Sequence, residues 1–282
     1  QVRPQDDATP VQLPLPNMSP DEYHDPAARP PADSPARPPE PPVAGPPAAI
    51  QPYLPTFAPE ELDELELDGL SPDLRREVQA VRSAVGLCDV STLGKIDVQG
   101  PDALKFIERL YANNFATLAV GRTRYGIMLR EDGFMFDDGT AARLAENRYL
   151  ITTTTAHAVQ VYQHMHLCHQ TLWPELDVQF VSVTDQWAQF AVAGPRSREL
   201  LQRVLDPRCD LSNEAFPFMA CGDVVLRNGE PARLFRISFS GELAYEIAVP
   251  GHRGDALIRT LHDAGQDLGA VPYGLEAVSY TH

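Results

Sequence analysis

The spacing of apolar side chains predicts a helix over residues 71–86. Ser71 supplies an N-cap with a proline behind it, and apolar residues follow at helical spacing as far as Val85. Over residues 87–98 the pattern changes to that of a β-strand. The chain therefore alternates helical and strand patterns from this point onward.

One pattern occurs twice. Residues 96–110 read as a strand, a Gly-Pro turn and an amphipathic helix, and residues 190–205 repeat that order. A hairpin pattern follows each copy, and helical patterns at 155–168 and 254–264 come next. The sequence predicts an α+β fold made of two related halves, each with a strand, a helix, a hairpin and a helix.

The first hairpin, residues 125–138, ends in two adjacent acids. Asp132 and Gly133 predict a two-residue type I′ turn. Strict alternation places Asp138 on the same face as the phenylalanines of the second strand and Asp137 on the other face. A carboxylate on an apolar face needs a partner, which makes Asp138 a candidate site residue. The alternative is that both acids are solvated at a strand end.

The second hairpin, residues 236–249, also carries an acid after its turn, Glu246. We expect Glu246 and Asp138 to occupy comparable places in the two halves and to face one central cavity. Two carboxylates in a shared pocket suit recognition of an amino-pyrimidine ring, or proton transfer to an amine. The alternative is that Glu246 forms a cross-strand salt bridge with an arginine such as Arg236.

The first part of the chain has a different composition. Of the 27 prolines among 282 residues, 18 lie within residues 1–59, together with few large apolar side chains. This composition predicts a disordered Pro-rich segment and linker over residues 1–70, with a Pro-rich recognition segment as the alternative. The folded domain is expected over residues 71–282.

The net charge and the distribution of cysteines, histidines and glycines exclude several classes of partner and site. The formal net charge of −16 argues against nucleic acid and anionic membrane surfaces as partners. The four scattered cysteines favour a cytoplasmic protein over a disulfide framework. His164 and His166 point in nearly opposite directions on a helix, so we predict no metal site. No Gly-rich dinucleotide or phosphate loop is present in the sequence.

Several segments together resemble the tetrahydrofolate-binding domain of aminomethyltransferases related to the glycine-cleavage T protein. Within that family the resemblance is greatest to the C-terminal half of the α subunit of heterotetrameric sarcosine oxidase, and it covers residues 76–278. The segments that carry it are residues 85–96, 124–139, 151–155, 187–195, 216–219, 236–246 and 272–277.

The resemblance implies roles for particular residues. Asp138 matches the family's acid that acts near the reacting nitrogens of the folate, and Glu246 matches the glutamate that binds the pterin. Tyr125 and Thr153 fall at positions that line the folate pocket. The implied reaction is oxidative demethylation of sarcosine to glycine, with the one-carbon unit captured as 5,10-methylenetetrahydrofolate.

The resemblance also implies cofactors and partners. Tetrahydrofolate is expected on this chain, whereas FAD, FMN and NAD are expected only in the complete heterotetramer with its β, γ and δ subunits. The family's dinucleotide half and C-terminal β-barrel domain have no counterpart in these residues, so the folate-binding domain is expected to be incomplete. Two alternatives stay open: a non-catalytic folate-binding protein of the iron–sulfur-cluster-assembly type, and an inactive truncated fragment.

Overall fold

The computed structural model describes residues 69–280, without the side chains of the last two. The predicted Pro-rich segment therefore lies outside the described residues, except for its last two positions. The described α-helices are α1 (Pro72–Ser83), α2 (Ala103–Leu110), α3 (Ala158–Thr171), α4 (Ser197–Val204), α5 (Gly254–Gly265) and α6 (Leu275–Tyr280). The strands are β1 (Val85–Asp89), β2 (Gly94–Gln99), β3 (Arg122–Leu129), β4 (Met135–Ala145), β5 (Arg148–Thr153), β6 (Gln179–Ser182), β7 (Trp187–Ala193), β8 (Cys221–Val225), β9 (Pro231–Phe235), β10 (Ala244–Pro250) and β11 (Ala270–Pro272).

The strands form two sheets that confirm the α+β prediction and its two related halves. One sheet has the order β3-β4-β5-β2-β6, and the other has the order β11-β1-β7-β10-β9-β8. When the first order is followed from β3 and the second from β8, the strands correspond one to one. The exception is β1, which is an additional strand between β7 and β11 in the second sheet. Each half thus contains a strand, a helix, three antiparallel strands, a second helix and a final strand.

The repeated Gly-Pro turn has the same geometry in both halves. Gly100 and Gly194 have φ values of 135° and 119°, which favour glycine. The carbonyl of each glycine accepts a hydrogen bond of 3.0 Å from the backbone N–H three residues later. A Cβ atom at Gly194 would lie 2.5 Å from the carbonyl oxygen of Ala84. Glycine is therefore required at this strand exit by both conformation and space.

Each sheet is covered by helices on one face and turns its other face toward the other sheet, although α1 and α6 also cover the end of that second face at Ala193 and Ala244. On the helix side, β10 contributes Tyr245, Ile247 and Val249 to a core that includes residues of α4 and α5. The intersheet layer combines apolar side chains from both sheets, namely Ala142, Leu150, Cys221, Phe235 and Ala248. Both faces of the central strands are consequently covered, so a polar residue on either face can be buried.

The correspondence between the halves corrects two predictions about the second hairpin. The predicted strand at its start is instead a loop over residues 236–243, between β9 and β10. The β3–β4 hairpin corresponds to β8–β9, so Asp138 on β4 and Glu246 on β10 occupy different places in their halves. β8 was not recognised in the sequence. The β3–β4 hairpin was therefore compared with residues 236–249, which contain β10, and not with β8 and β9.

Within residues 69–280, none of the helices combines the length and apolar character that crossing a membrane requires.

Candidate functional site

The tip of the first hairpin differs from the predicted two-residue turn. The carbonyl of Arg130 accepts a hydrogen bond from the N–H of Gly133, and the N–H of Arg130 donates to Phe134, both at 2.9 Å. Gly133 has a left-handed φ of 82°, whereas Asp132 does not have a positive φ. The loop therefore has three residues and ends in a left-handed glycine, and the type I′ prediction is wrong.

A β-bulge just after this turn decides which acid is buried. Leu129 pairs with Met135 and Met128 pairs with Asp137, so Phe136 is an extra residue in β4. The extra residue reverses the alternation predicted for the two acids. Asp137 lies on the helix-covered face and is only 4% exposed, whereas Asp138 lies on the intersheet face. The prediction that Asp138 lies on the same face of the strand as Phe136 is therefore wrong.

The buried carboxylate of Asp137 is held by local donors. Its Oδ1 accepts a 2.6 Å hydrogen bond from the hydroxyl of Thr154, and its Oδ2 accepts from the Thr154 N–H at 3.3 Å. Nδ1 of His157 lies 3.3 Å from Oδ1. These bonds connect the N-terminal end of β4 to the turn that leads into α3, so Asp137 has a structural role.

Asp138 is half-buried and accepts a hydrogen bond from Tyr125. The phenolic oxygen of Tyr125 lies 2.7 Å from Oδ2 of Asp138. Partial burial and this hydrogen bond raise the pKa of Tyr125 to about 12. Since Tyr125 stays a neutral donor at physiological pH, it orients the carboxylate and leaves its other oxygen available.

The register of the central strands brings several polar side chains to the intersheet face. On β4, Asp138 shares the face of Ala142, and on β10, Glu246 shares the face of Ala248. The strand register and the alternation of side chains place further polar residues of β2, β3, β5 and β7 on the same face. We call this set the intersheet polar cluster: Lys95, Tyr125, Asp138, Thr152, Gln189 and Glu246.

Lys95 is the buried cation of the intersheet polar cluster. It is 0% exposed, and its ammonium donates to the carbonyl oxygens of Ser91 and Leu93, each at 3.0 Å. Burial lowers the pKa of Lys95 to about 8, although the negative charge of Glu246 favours the protonated form. A lysine with this pKa is sensitive to any change in the charge of its surroundings.

Glu246 is the buried acidic residue of the same cluster. Burial raises the pKa of its carboxyl group, while the hydrogen bond from Gln189 and the positive charge of Lys95 oppose that rise. Oε2 accepts from the side-chain amide of Gln189. Arg236 instead donates to the carbonyl of Phe216 at 2.8 Å, so the predicted alternative of a salt bridge with Glu246 is wrong.

Of the four site residues predicted from the sequence, the structure places three on the intersheet face and one elsewhere. Thr153 lies on the opposite face of β5, packed where Gly94 leaves room beside Ala158. Its neighbour Thr152 takes the intersheet position, with its hydroxyl 2.8 Å from that of Thr140. Thr153 therefore does not share a face with Tyr125, Asp138 and Glu246, and its contact with folate stays a prediction.

The histidines of α3 are separated from one another. His164 contacts Cys168 and the ring of Phe136, whereas His166 packs against Tyr162. Within the part of the chain that the structure describes, no three His, Cys, Asp or Glu side chains form a group able to hold a metal ion.

The structure also has a surface cleft of about 460 Å³ on the helix side of the six-stranded sheet, lined by Leu87, Pro272 and residues of α5. On α5, Asp255 and Arg259 form an ion pair at 3.0 Å of the i,i+4 kind that is ordinary on an exposed helix, and Nδ1 of His262 lies 3.4 Å from Oδ1 of Asp263. Asp89, which also lines the cleft, accepts a hydrogen bond of 2.9 Å from the N–H of Ser91. This cleft lies on the other face of the sheet from Glu246.

Besides Thr152, two further members of the cluster, Lys95 and Gln189, were missed from the sequence. Lys95 alternates with Ile96 and Val98 and therefore looks like a solvent-facing residue of a one-sided strand. Gln189 lies in a largely apolar strand without a motif of its own. Only the packing of one sheet on the other shows that both side chains are buried.

Comparison with known proteins places this fold in a family. Residues 53–281 match the family described as GCVT N-terminal domain. The chain is 55% identical to sarcosine oxidase subunit alpha of Rhizobium meliloti over 207 residues, which are 73% of this chain and 21% of that protein. It is 32% identical to the aminomethyltransferase of a Geobacillus species over 206 residues, 72% of this chain and 54% of that protein.

A solved structure supports the same grouping. The glycine cleavage system aminomethyltransferase T of Bartonella henselae superimposes with a TM-score of 0.61 at 25% identity, covering 73% of this chain and 52% of that one. The chain thus spans about a fifth of the sarcosine oxidase α subunit and about half of the aminomethyltransferases.

Proposed function

Since the chain belongs to the GCVT N-terminal domain family, we propose that it is a tetrahydrofolate-binding domain that transfers one-carbon units. The finer proposal is that it serves a sarcosine oxidase α subunit. Sarcosine would be demethylated oxidatively to glycine, and the one-carbon unit would be captured as 5,10-methylenetetrahydrofolate. The identity of 55% to an α subunit of that enzyme supports this choice.

The observation that carries the proposal is the buried acceptor set around Glu246. A pterin ring presents adjacent N–H donors along one edge, and a carboxylate is the matching acceptor. Only one oxygen of Glu246 receives a hydrogen bond from the described residues, which leaves acceptor capacity for a ligand. The donors and acceptors present thus fit the folate group, with Glu246 as the residue that holds its pterin.

Asp138 is proposed as the catalytic residue and Tyr125 as the residue that positions it. In the transfer, the two folate nitrogens that take up the one-carbon unit lose protons, and the released amine of glycine gains them. Tyr125 occupies one oxygen of the Asp138 carboxylate, and the other is available to hold or move a proton at the reacting amine.

The remaining proposals concern the complete enzyme. FAD, FMN and NAD would bind outside this chain, and the partners would be the β, γ and δ subunits of a sarcosine oxidase. The described cysteines are free thiols, which supports a cytoplasmic location.

The direct test of function is the rate of 5,10-methylenetetrahydrofolate formation. Tetrahydrofolate would be supplied with the adduct of glycine and formaldehyde, which stands in for oxidised sarcosine. We expect the full chain to accelerate the reaction and Asp138→Asn to lower that acceleration about 100-fold or more. Asp138→Asn should retain the wild-type melting temperature, because Asp138 is half-buried and its main hydrogen bond is to an exposed tyrosine.

Other outcomes separate the alternatives. Tetrahydrofolate binding without acceleration would identify a non-catalytic folate-binding protein. Wild-type acceleration in Asp138→Asn would overturn the role of Asp138 while leaving the binding proposal standing.

A further inference from the structure

Gln189 carries a buried acceptor that the protein leaves unused. Its side chain is 1% exposed, and Oε1 has no hydrogen-bond partner among the described residues. An unsatisfied buried acceptor normally costs free energy, so such a group in a native structure calls for a partner that the protein itself does not supply.

The orientation of this amide is fixed. Nε2 of Gln189 donates to Oε2 of Glu246. Exchanging the two ends of the amide would place Oε1 against this carboxyl oxygen and remove the N–H donor that Glu246 now has. The Nε2 end of this amide therefore donates to Glu246, and its Oε1 end is a free acceptor beside that carboxyl group.

The backbone of Gln189 is equally well held. Its N–H donates to the hydroxyl of Ser91 at 3.0 Å, and its carbonyl accepts from the N–H of Val90 at 3.0 Å. Both bonds come from the turn after β1, and β10 holds the strand on its other side. Because little rearrangement is available, the acceptor is preorganised for a ligand.

We propose that Gln189 is a specificity-determining residue whose Oε1 accepts a hydrogen bond from the exocyclic amino group of the pterin. This inference rests on the proposed binding of tetrahydrofolate at Glu246. The amino group carries two N–H donors and the neighbouring ring nitrogen carries one, so the edge offers three donors in a row. Glu246 accepts two of them, and Gln189 accepts the third.

The test compares two ligands on two forms of the full chain by calorimetric titration. The ligands are tetrahydrofolate and its 2-desamino analogue, in which hydrogen replaces the exocyclic amino group. We expect the wild type to bind the analogue about 10- to 100-fold more weakly. In Gln189→Met, which keeps the length of the side chain without its acceptor, that ratio should shrink by about fivefold or more.

A control and a substitute variant keep the comparison interpretable. Val192→Ala removes buried volume from the opposite face of the same strand and should leave the ratio unchanged. If Gln189→Met does not fold, Gln189→Asn replaces it, because that variant withdraws the amide by one methylene group.

The outcomes distinguish this inference from the proposed function. A ratio in the glutamine variant equal to the wild-type ratio would overturn the role of Gln189 alone. A wild type that binds both ligands equally would overturn the role of Gln189 and the contact of Glu246 with the amino group, while the binding of tetrahydrofolate itself would stand. A wild type that binds neither ligand would overturn the proposed function and this inference together.

Discussion

At the scale of single residues, the intersheet polar cluster contains a buried lysine and a buried glutamate on facing sheets. Lys95 and Glu246 are on different sheets, and each favours the charged form of the other. Burial opposes both charges, so a change at one residue alters the protonation of the other.

The buried amine of Lys95 predicts a specific pH dependence of stability. Its pKa is about 8 in the folded protein against an ordinary value of 10.5. Between these values the unfolded chain binds the extra proton, so the contribution of Lys95 to stability rises with pH. We expect the free energy of unfolding of wild type, minus that of Lys95→Met, to increase by up to about 1.4 kcal/mol per pH unit in this range.

The measurement is urea unfolding of both proteins at several pH values from 7.5 to 10. The difference between the two proteins is the useful quantity, because burial raises the pKa of Cys88 and Cys221, whose contributions to stability fall with pH in both proteins. A difference that stays constant across this range would show that Lys95 titrates normally.

At the scale of elements, the bulge in β4 gives two neighbouring acids opposite roles. Asp137→Ala leaves the hydroxyl and N–H of Thr154 without their acceptor. We expect it to lower the free energy of unfolding by about 2–3 kcal/mol, whereas Asp138→Ala should change it by less than about 0.5 kcal/mol.

Chemical denaturation at neutral pH measures both variants under one set of conditions, and each serves as the control for the other. Equal destabilisation by the two substitutions would contradict the assignment of faces that follows from the bulge.

The same elements show how far the sequence alone can go. The Gly-Pro turns, the two related halves and the hairpin after Tyr125 were predictable, because local conformation and periodicity determine them. The bulge at Phe136 was not, since one extra residue leaves no signature in composition and reverses every later side chain. Thr153 was expected at the site because of the family resemblance, and only the register of β5 against β2 shows that Thr152, and not Thr153, lies on the intersheet face.

At the scale of the whole molecule, the two sheets bring together residues that are distant in sequence. β8 was missed from the sequence because its short pattern has only partial burial, and this put the second hairpin out of step with the first. Asp138 and Glu246 therefore reach the intersheet face from strands that are not equivalent. The two residues share the intersheet face because the sheets face each other, and not because of the internal repeat, whereas a common cavity for them stays a prediction.

The central claim is that Glu246 holds the pterin of tetrahydrofolate between the two sheets, and calorimetric titration of Glu246→Gln tests it most directly. We expect the wild-type chain to bind tetrahydrofolate at one site and Glu246→Gln to bind it about 10- to 100-fold more weakly. Glu199→Gln makes the same chemical change at an exposed ion pair on α4 and should leave the affinity unchanged. Wild-type affinity in Glu246→Gln, or no binding by the wild type, would contradict the claim.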